Sequence, residues 1–108
     1  MNAIMPPALA TYFSAEDATD IDVLERCFGP NSVVRDEGRI VRGLDAIKAW
    51  RLASRAKYQY RVEPLSASCE GATATVLARV TGTFPGSPVE LTHSFGLVGD
   101  KIASLEIH

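Results

Sequence analysis

The apolar residues of this chain keep two different periods. Before Tyr58 they mostly recur every three or four positions, and after it they alternate. Pro6 and Pro7 precede Leu9, Tyr12, Phe13 and Glu16, the spacing of a short amphipathic helix started by proline. Ala18-Thr19-Asp20 reads as a break and an N-cap. A second helix then carries Ile21, Leu24, Cys27 and Phe28, and Gly29-Pro30-Asn31 stops it. A short strand, Val33 to Asp36, turns at Gly38 into a partner strand, Arg39 to Arg42. Gly43 breaks that partner. Leu44 to Lys57 is the longest helical stretch, with Ala46, Ala49, Trp50 and Ala53 on one face and Leu44 and Ile47 beside it.

The second half reads as sheet. A strand runs from Tyr58 to Cys69, and Glu70-Gly71 marks a turn. Thr73 to Phe84 alternates, with Ala74, Val76, Ala78 and Val80 on one face and Thr73, Thr75, Arg79 and Thr81 on the other. After the loop Pro85-Gly86-Ser87-Pro88, the residues Val89, Leu91, His93, Phe95 and Leu97 alternate with polar or small neighbours. Gly99-Asp100 makes the last turn, and Ile102 to Ile107 the last strand. Helices followed by a meander of long strands predict an α+β fold. The expected architecture is a cone-like, strongly curved, mostly antiparallel sheet with about three helices from the N-terminal half on its concave face. Such a cone has a mouth, and a mouth suits a ligand.

The length of 108 residues fits one domain, residues 1–108. With 46% hydrophobic and 22% charged residues the chain reads as a soluble globular protein. A net charge of −2 with no basic run argues against nucleic acid as a partner. No apolar run approaches the roughly 20 residues of a membrane span. The N-terminus, Met1 to Pro7, has no basic region ahead of its two prolines, so it does not read as a secretory signal and a cytoplasmic protein is expected. Cys27 and Cys69 lack any CxxC spacing and read as buried, reduced cysteines. Asp36 and Glu37 point opposite ways on a strand, so no metal site is expected.

Three polar side chains stand where the period calls for core. Tyr12 lies among the apolar residues of the first helix, Asp36 alternates with Val34, and His93 alternates with Leu91 and Phe95. Buried groups of this kind must satisfy one another, water or a ligand. The residues alone leave two readings open. Asp36 either faces a pocket, or caps the Glu37-Gly38 turn or pairs with Arg35, Arg39 or Arg42. Tyr12 and His93 are either pocket groups or satisfied core residues.

The order of these motifs resembles the NTF2-like superfamily, and within it the SnoaL-like and ketosteroid-isomerase-like proteins. The resemblance covers nearly the whole chain. It rests on Tyr12-Phe13, Asp20-Ile21-Asp22, Phe28 before Asn31-Ser32-Val33-Val34-Arg35-Asp36, Gly43-Leu44-Asp45-Ala46-Ile47, and the closing Phe95 to Ile102. The superfold hosts enzymes, ligand binders and adaptors, so function has to come from the site. Ketosteroid isomerases place a general-base aspartate after the same short strand, and Asp36 matches it. Their oxyanion tyrosine on the first helix matches Tyr12 at the same spacing. Their second oxyanion donor, a protonated aspartate before a Phe on the penultimate strand, falls at His93; the neutral acid of that family is an established example of such a donor. The chain departs from the pattern at His93 and at Glu37, where the family has proline.

The resemblance implies a cofactor-free isomerase, cyclase or lyase acting on a small apolar carbonyl compound. Asp36 would be the base, and Tyr12 and His93 the oxyanion donors. Trp50, Tyr60, Phe95, Phe13 and Val34 would line the pocket, and the bulk of Trp50 and Tyr60 predicts a cavity smaller than a steroid needs. No metal or organic cofactor is called for. The family commonly pairs through its sheet, which makes the Thr-rich face from Thr73 to Thr83 the expected homodimer surface. The alternative from a different class is a non-catalytic dimeric module that holds a ligand or a protein partner.

Overall fold

A computed structural model describes residues 6–15 and 21–108. The break foreseen at Ala18-Thr19-Asp20, and Glu16, lie outside the described residues. Pro7–Ala15 forms helix α1, and a 3₁₀ helix covers Ile21–Arg26. Strands β1 (Phe28–Asp36) and β2 (Arg39–Arg42) make a hairpin, and helix α2 covers Leu44–Tyr58. Four long strands follow: β3 (Arg61–Glu70), β4 (Thr73–Thr81), β5 (Val89–Val98) and β6 (Lys101–Ile107).

All six strands form one curved sheet in the order β2-β1-β6-β5-β4-β3. Every neighbouring pair is antiparallel except β1 with β6, whose register sets Val34 against Leu105 and Asp36 against Ile107. The meander closes on the first hairpin this way and brings the end of β1 beside the end of β6. On β5, His93 lies opposite both Ile107 of β6 and Val76 of β4. Asp36 and His93 therefore flank Ile107 from opposite sides of β6.

Two elements differ from the sequence pattern. The helix expected through Cys27 and Phe28 is a 3₁₀ helix that ends at Arg26, and Phe28 already belongs to β1. The Ile102 amide donates to the Cys27 carbonyl at 2.6 Å, so pairing with β6 overrides the local helical spacing. Gly29-Pro30-Asn31 is a register irregularity within β1 rather than a helix stop. Ser32 braces it: its hydroxyl accepts from the Gly29 amide at 2.8 Å and donates to the Ile102 carbonyl at 2.6 Å.

Helix α2 is rotated from the face its alanines suggest. Ala46, Ala49 and Ala53 are exposed, whereas Ile47 and Arg51 are buried and Leu44, Trp50 and Ser54 are half-buried. Burial free energy scales with apolar area, so one isoleucine and one tryptophan outweigh three methyl groups. The helix starts at Gly43 and ends where the Gln59 amide bonds the Arg55 carbonyl, with Gln59 left-handed; β3 then starts at Arg61, not at Tyr58.

The core lies between α1, the 3₁₀ helix, α2 and the inner face of the sheet. Leu9, Leu24, Ile47, Val34, Val76, Phe95, Ile102 and Leu105 are all fully buried there. On β4, Ala74, Val76, Ala78 and Val80 point inward and Thr73, Arg79 and Thr81 are exposed, as the alternation predicts. Cys27 is buried, but Cys69 is exposed on the edge strand β3. The expectation that both cysteines are buried therefore fails at Cys69. Burial pushes the Cys27 thiol up to about 11.

Candidate functional site

Asp36 ends β1, and the chain reverses through Glu37 and Gly38 to Arg39, its cross-strand partner. Both central residues have positive φ, 52° and 76°, which a two-residue hairpin loop matched to sheet twist requires. Glycine adopts this without cost, while glutamate at that angle is unusual. The turn leaves Asp36 half-buried beside helix α2, where the Trp50 indole Nε1 donates to its Oδ2 at 3.0 Å. Oδ1 has no protein partner among the described residues, and no arginine pairs with Asp36 among them. Asp36's proton affinity is raised above the ordinary carboxylate range. Burial is the main cause, opposed by the Trp50 hydrogen bond, and the Glu37 charge adds to the rise while Arg39 lowers it.

A cavity of about 530 Å³ opens beside this carboxylate. Ligand sites span roughly 300–1,000 Å³, so it suits a small organic molecule. Val62, Val80, Val89, Leu91 and Ile107 supply an apolar wall from the sheet. Trp50, Tyr60 and Phe84 supply aromatic surface. Asp36, Glu37, Ser54, Tyr12, His93 and His108 supply the polar positions. Trp50 and Tyr60, the bulky side chains expected at the pocket, both line it, with Trp50 drawn to Asp36.

Tyr12 and His93 border the buried end. Tyr12 is 1% exposed and packs edge-on against Phe13, Phe28 and Phe95 at ring distances of 5.1, 5.8 and 5.5 Å. His93 is 2% exposed, with its ring 6.4 Å from that of Tyr12 and 5.6 Å from that of Phe13. Its Nδ1 lies 3.4 Å from the Leu91 carbonyl oxygen. Burial first, then the nearby charges of Arg51 and His108, push its pKa down to about 4 against the pull of that carbonyl, so the ring is neutral at pH 7.

The cavity thus brings together Asp36, Tyr12, His93, Trp50 and Tyr60. Phe13, Val34 and Phe95, expected to line it, are core residues behind its wall. Sequence reasoning missed Arg51. It is 1% exposed, and its guanidinium lies 4.8 Å from the Tyr12 ring centroid and 5.7 Å from that of Trp50. Hydropathy assigns an arginine to the solvated side of a helix; only its position four residues after Ile47 signalled burial. Phe84 and His108 were missed too, because each sits where a strand pattern gives out. No group of three or more potential metal-ligating side chains is clustered among the described residues.

A curved sheet holding a carboxylate, a tyrosine and a histidine around one apolar cavity defines a cone-shaped α+β pocket protein. The SnoaL-like domain family profile matches residues 9–105, and the chain belongs to that family. A Sinorhizobium meliloti protein described as a candidate polyketide cyclase is 42% identical, with a TM-score of 0.93 over 96% of this chain and 95% of that one. A Catenulispora acidiphila protein with a ketosteroid isomerase-like fold, solved with trimethylamine, is 20% identical. Its TM-score is 0.84 over 97% of this chain and 86% of that one. An NTF2-like protein from Cytophaga hutchinsonii shares the fold at 11% identity and a TM-score of 0.79, over 99% of this chain and 91% of that one. No curated protein matches the sequence. No helix among the described residues is long and apolar enough to cross a membrane.

Proposed function

We propose that the chain is a cofactor-free isomerase, cyclase or lyase that removes a proton next to a carbonyl group of a small, largely apolar compound. The observation that carries this reading is the half-buried Asp36 carboxylate on the cavity border. One of its oxygens is held by Trp50 and the other has no protein partner among the described residues. Raised proton affinity brings a carboxylate closer to the range of a useful general base.

In the proposed step Asp36 takes the C–H proton. The C–H electron pair becomes the C=C bond, and the carbonyl π pair moves to oxygen. As the oxygen pair re-forms the carbonyl, the enolate takes the proton back from Asp36 at a second, conjugated carbon, or expels a leaving group that takes the proton from Asp36, or attacks a second carbonyl carbon of the same molecule, whose π pair moves to its oxygen and takes that proton. Tyr12 donates a hydrogen bond to the developing oxygen charge. A preorganised donor in a dry site contributes roughly 3–4 kcal/mol at the transition state. The likeness to the candidate polyketide cyclase of S. meliloti supports a cyclic or cyclising carbonyl substrate.

The experiment is a screen of cyclic ketones and 1,3-diketones for enzyme-dependent deuterium uptake from D₂O by NMR. Tyr12→Phe is expected to slow uptake about 100-fold. No accelerated uptake with any member of the panel contradicts the reading.

A second reading is a dimeric binding module without chemistry, with the outer sheet face as the pairing surface. Thr73, Arg79 and Thr81 are exposed there, and Leu65 on edge strand β3 is 38% exposed. Pairing of two copies through that face, in a cytoplasmic protein, is compatible with either reading. Sedimentation over a concentration series tests the pairing, and a monomer throughout contradicts it.

A further inference from the structure

His93 stands where the resemblance implies a hydrogen-bond donor, yet its surroundings give it the opposite role. The ring is 2% exposed and neutral, so it carries one N–H and one in-plane lone pair. Nδ1 faces the Leu91 carbonyl oxygen at 3.4 Å, and a carbonyl oxygen only accepts. A proton on Nε2 would leave two lone pairs facing each other across that gap. The proton therefore belongs on Nδ1, an assignment made from the hydrogen-bond geometry. Nε2 is then the acceptor. It has no protein partner among the described residues, and the ring borders the cavity. The stacked Phe95, 6.3 Å away, and Phe13, at 5.6 Å, offer it no donor.

We propose that Nε2 of His93 accepts a hydrogen bond from a hydroxyl group of the ligand, so that the pocket selects a compound with a phenolic or enolic hydroxyl at that position over one with an ether or a second ketone there. Tyr12 borders the same end of the cavity, and the hydroxyl that donates to Nε2 is a second oxygen of the ligand, distinct from the carbonyl oxygen of the proposed reaction. A ketone oxygen in that place meets a lone pair instead. A buried acceptor left unsatisfied is costly, which is what turns one nitrogen into a selectivity element. The inference rests on the small-molecule reading of the cavity but not on turnover.

Two measurements test it. In ¹⁵N NMR of imidazole-labelled protein, the His93 proton is expected on Nδ1. In calorimetric titration, 2-naphthol is expected to bind about 10-fold more tightly than 2-methoxynaphthalene, although the ether is the more apolar compound. That preference should vanish in His93→Phe, and because it is read from binding alone it is separate from any failure of the proposed reaction. A proton on Nε2, a naphthol that binds no more tightly than its ether, or a preference unchanged in His93→Phe overturns the proposal. The NMR result and the wild-type titration hold whether or not the variant folds.

Discussion

The Trp50 indole donates to the Asp36 carboxylate at 3.0 Å, joining helix α2 to the end of strand β1 at the border of the cavity. That single bond orients one carboxylate oxygen and favours the charged form, while burial and the Glu37 charge act the other way. The balance leaves Asp36 a carboxylate with raised proton affinity and one oxygen without a protein partner among the described residues.

Trp50→Phe removes the donor and keeps the ring. Asp36 should then hold its proton more tightly, and the acid limb of any pH–rate profile should move to higher pH. An acid limb that stays in place or moves down contradicts the role given to this bond.

Asp36→Asn should stabilise the fold at neutral pH. The carboxylate's folded-state proton affinity is raised, so its contribution to stability is fully present below the ordinary 3.8 and is lost as pH rises through the folded-state value. Asparagine keeps an oxygen for the Trp50 N–H and carries no charge to desolvate. Urea denaturation should show the variant ahead at pH 7, with the gap closing toward pH 3. A variant less stable at pH 7 contradicts the burial of this charge.

His93 has the opposite linkage. Unfolded, it takes a proton as pH falls through 6.5; folded, it resists until about 4. Stability present above pH 6.5 is lost on the way down to pH 4, by an amount on the order of 3 kcal/mol. His93→Phe should flatten that part of the stability curve. An unchanged slope in the variant would mean that another group carries it.

The helix rotation has a direct mutational signature. Ile47→Ala should cost about 2–5 kcal/mol, because Ile47 is fully buried. Ala49→Glu should stay within about 0.5 kcal/mol, because Ala49 is exposed. Comparable losses at both positions would restore the alanine face.

Much of this arrangement was legible in the chain, for reasons that differ by residue. The alternation on β4 and β5 reflects a sheet with one buried face, so the inward direction of Val76 and His93 followed from period alone. Tyr12, Asp36 and His93 stood out as polar residues on apolar faces, and a buried polar group in such a place is where a pocket is expected. The misreadings have a common cause in tertiary context. Phe28 fits a helical spacing, but pairing with β6 draws it into a strand. Arg51 reads as solvated, but its guanidinium lies over the Tyr12 ring. Phe13, Val34 and Phe95 have the period of wall residues, yet period gives only the buried face. It does not say whether a cavity or a neighbouring side chain fills the space in front. The tautomer of His93 depends on a carbonyl two residues away, which no pattern of residue types encodes.

Asp36 is the proposed base of this cavity. The most direct test of that role is the rate of α-proton exchange in D₂O for the best carbonyl compound of the panel, wild type against Asp36→Asn, with both proteins shown folded by circular dichroism. A loss of at least about 100-fold is expected in the variant. Exchange at the wild-type rate in Asp36→Asn would remove Asp36 from the mechanism.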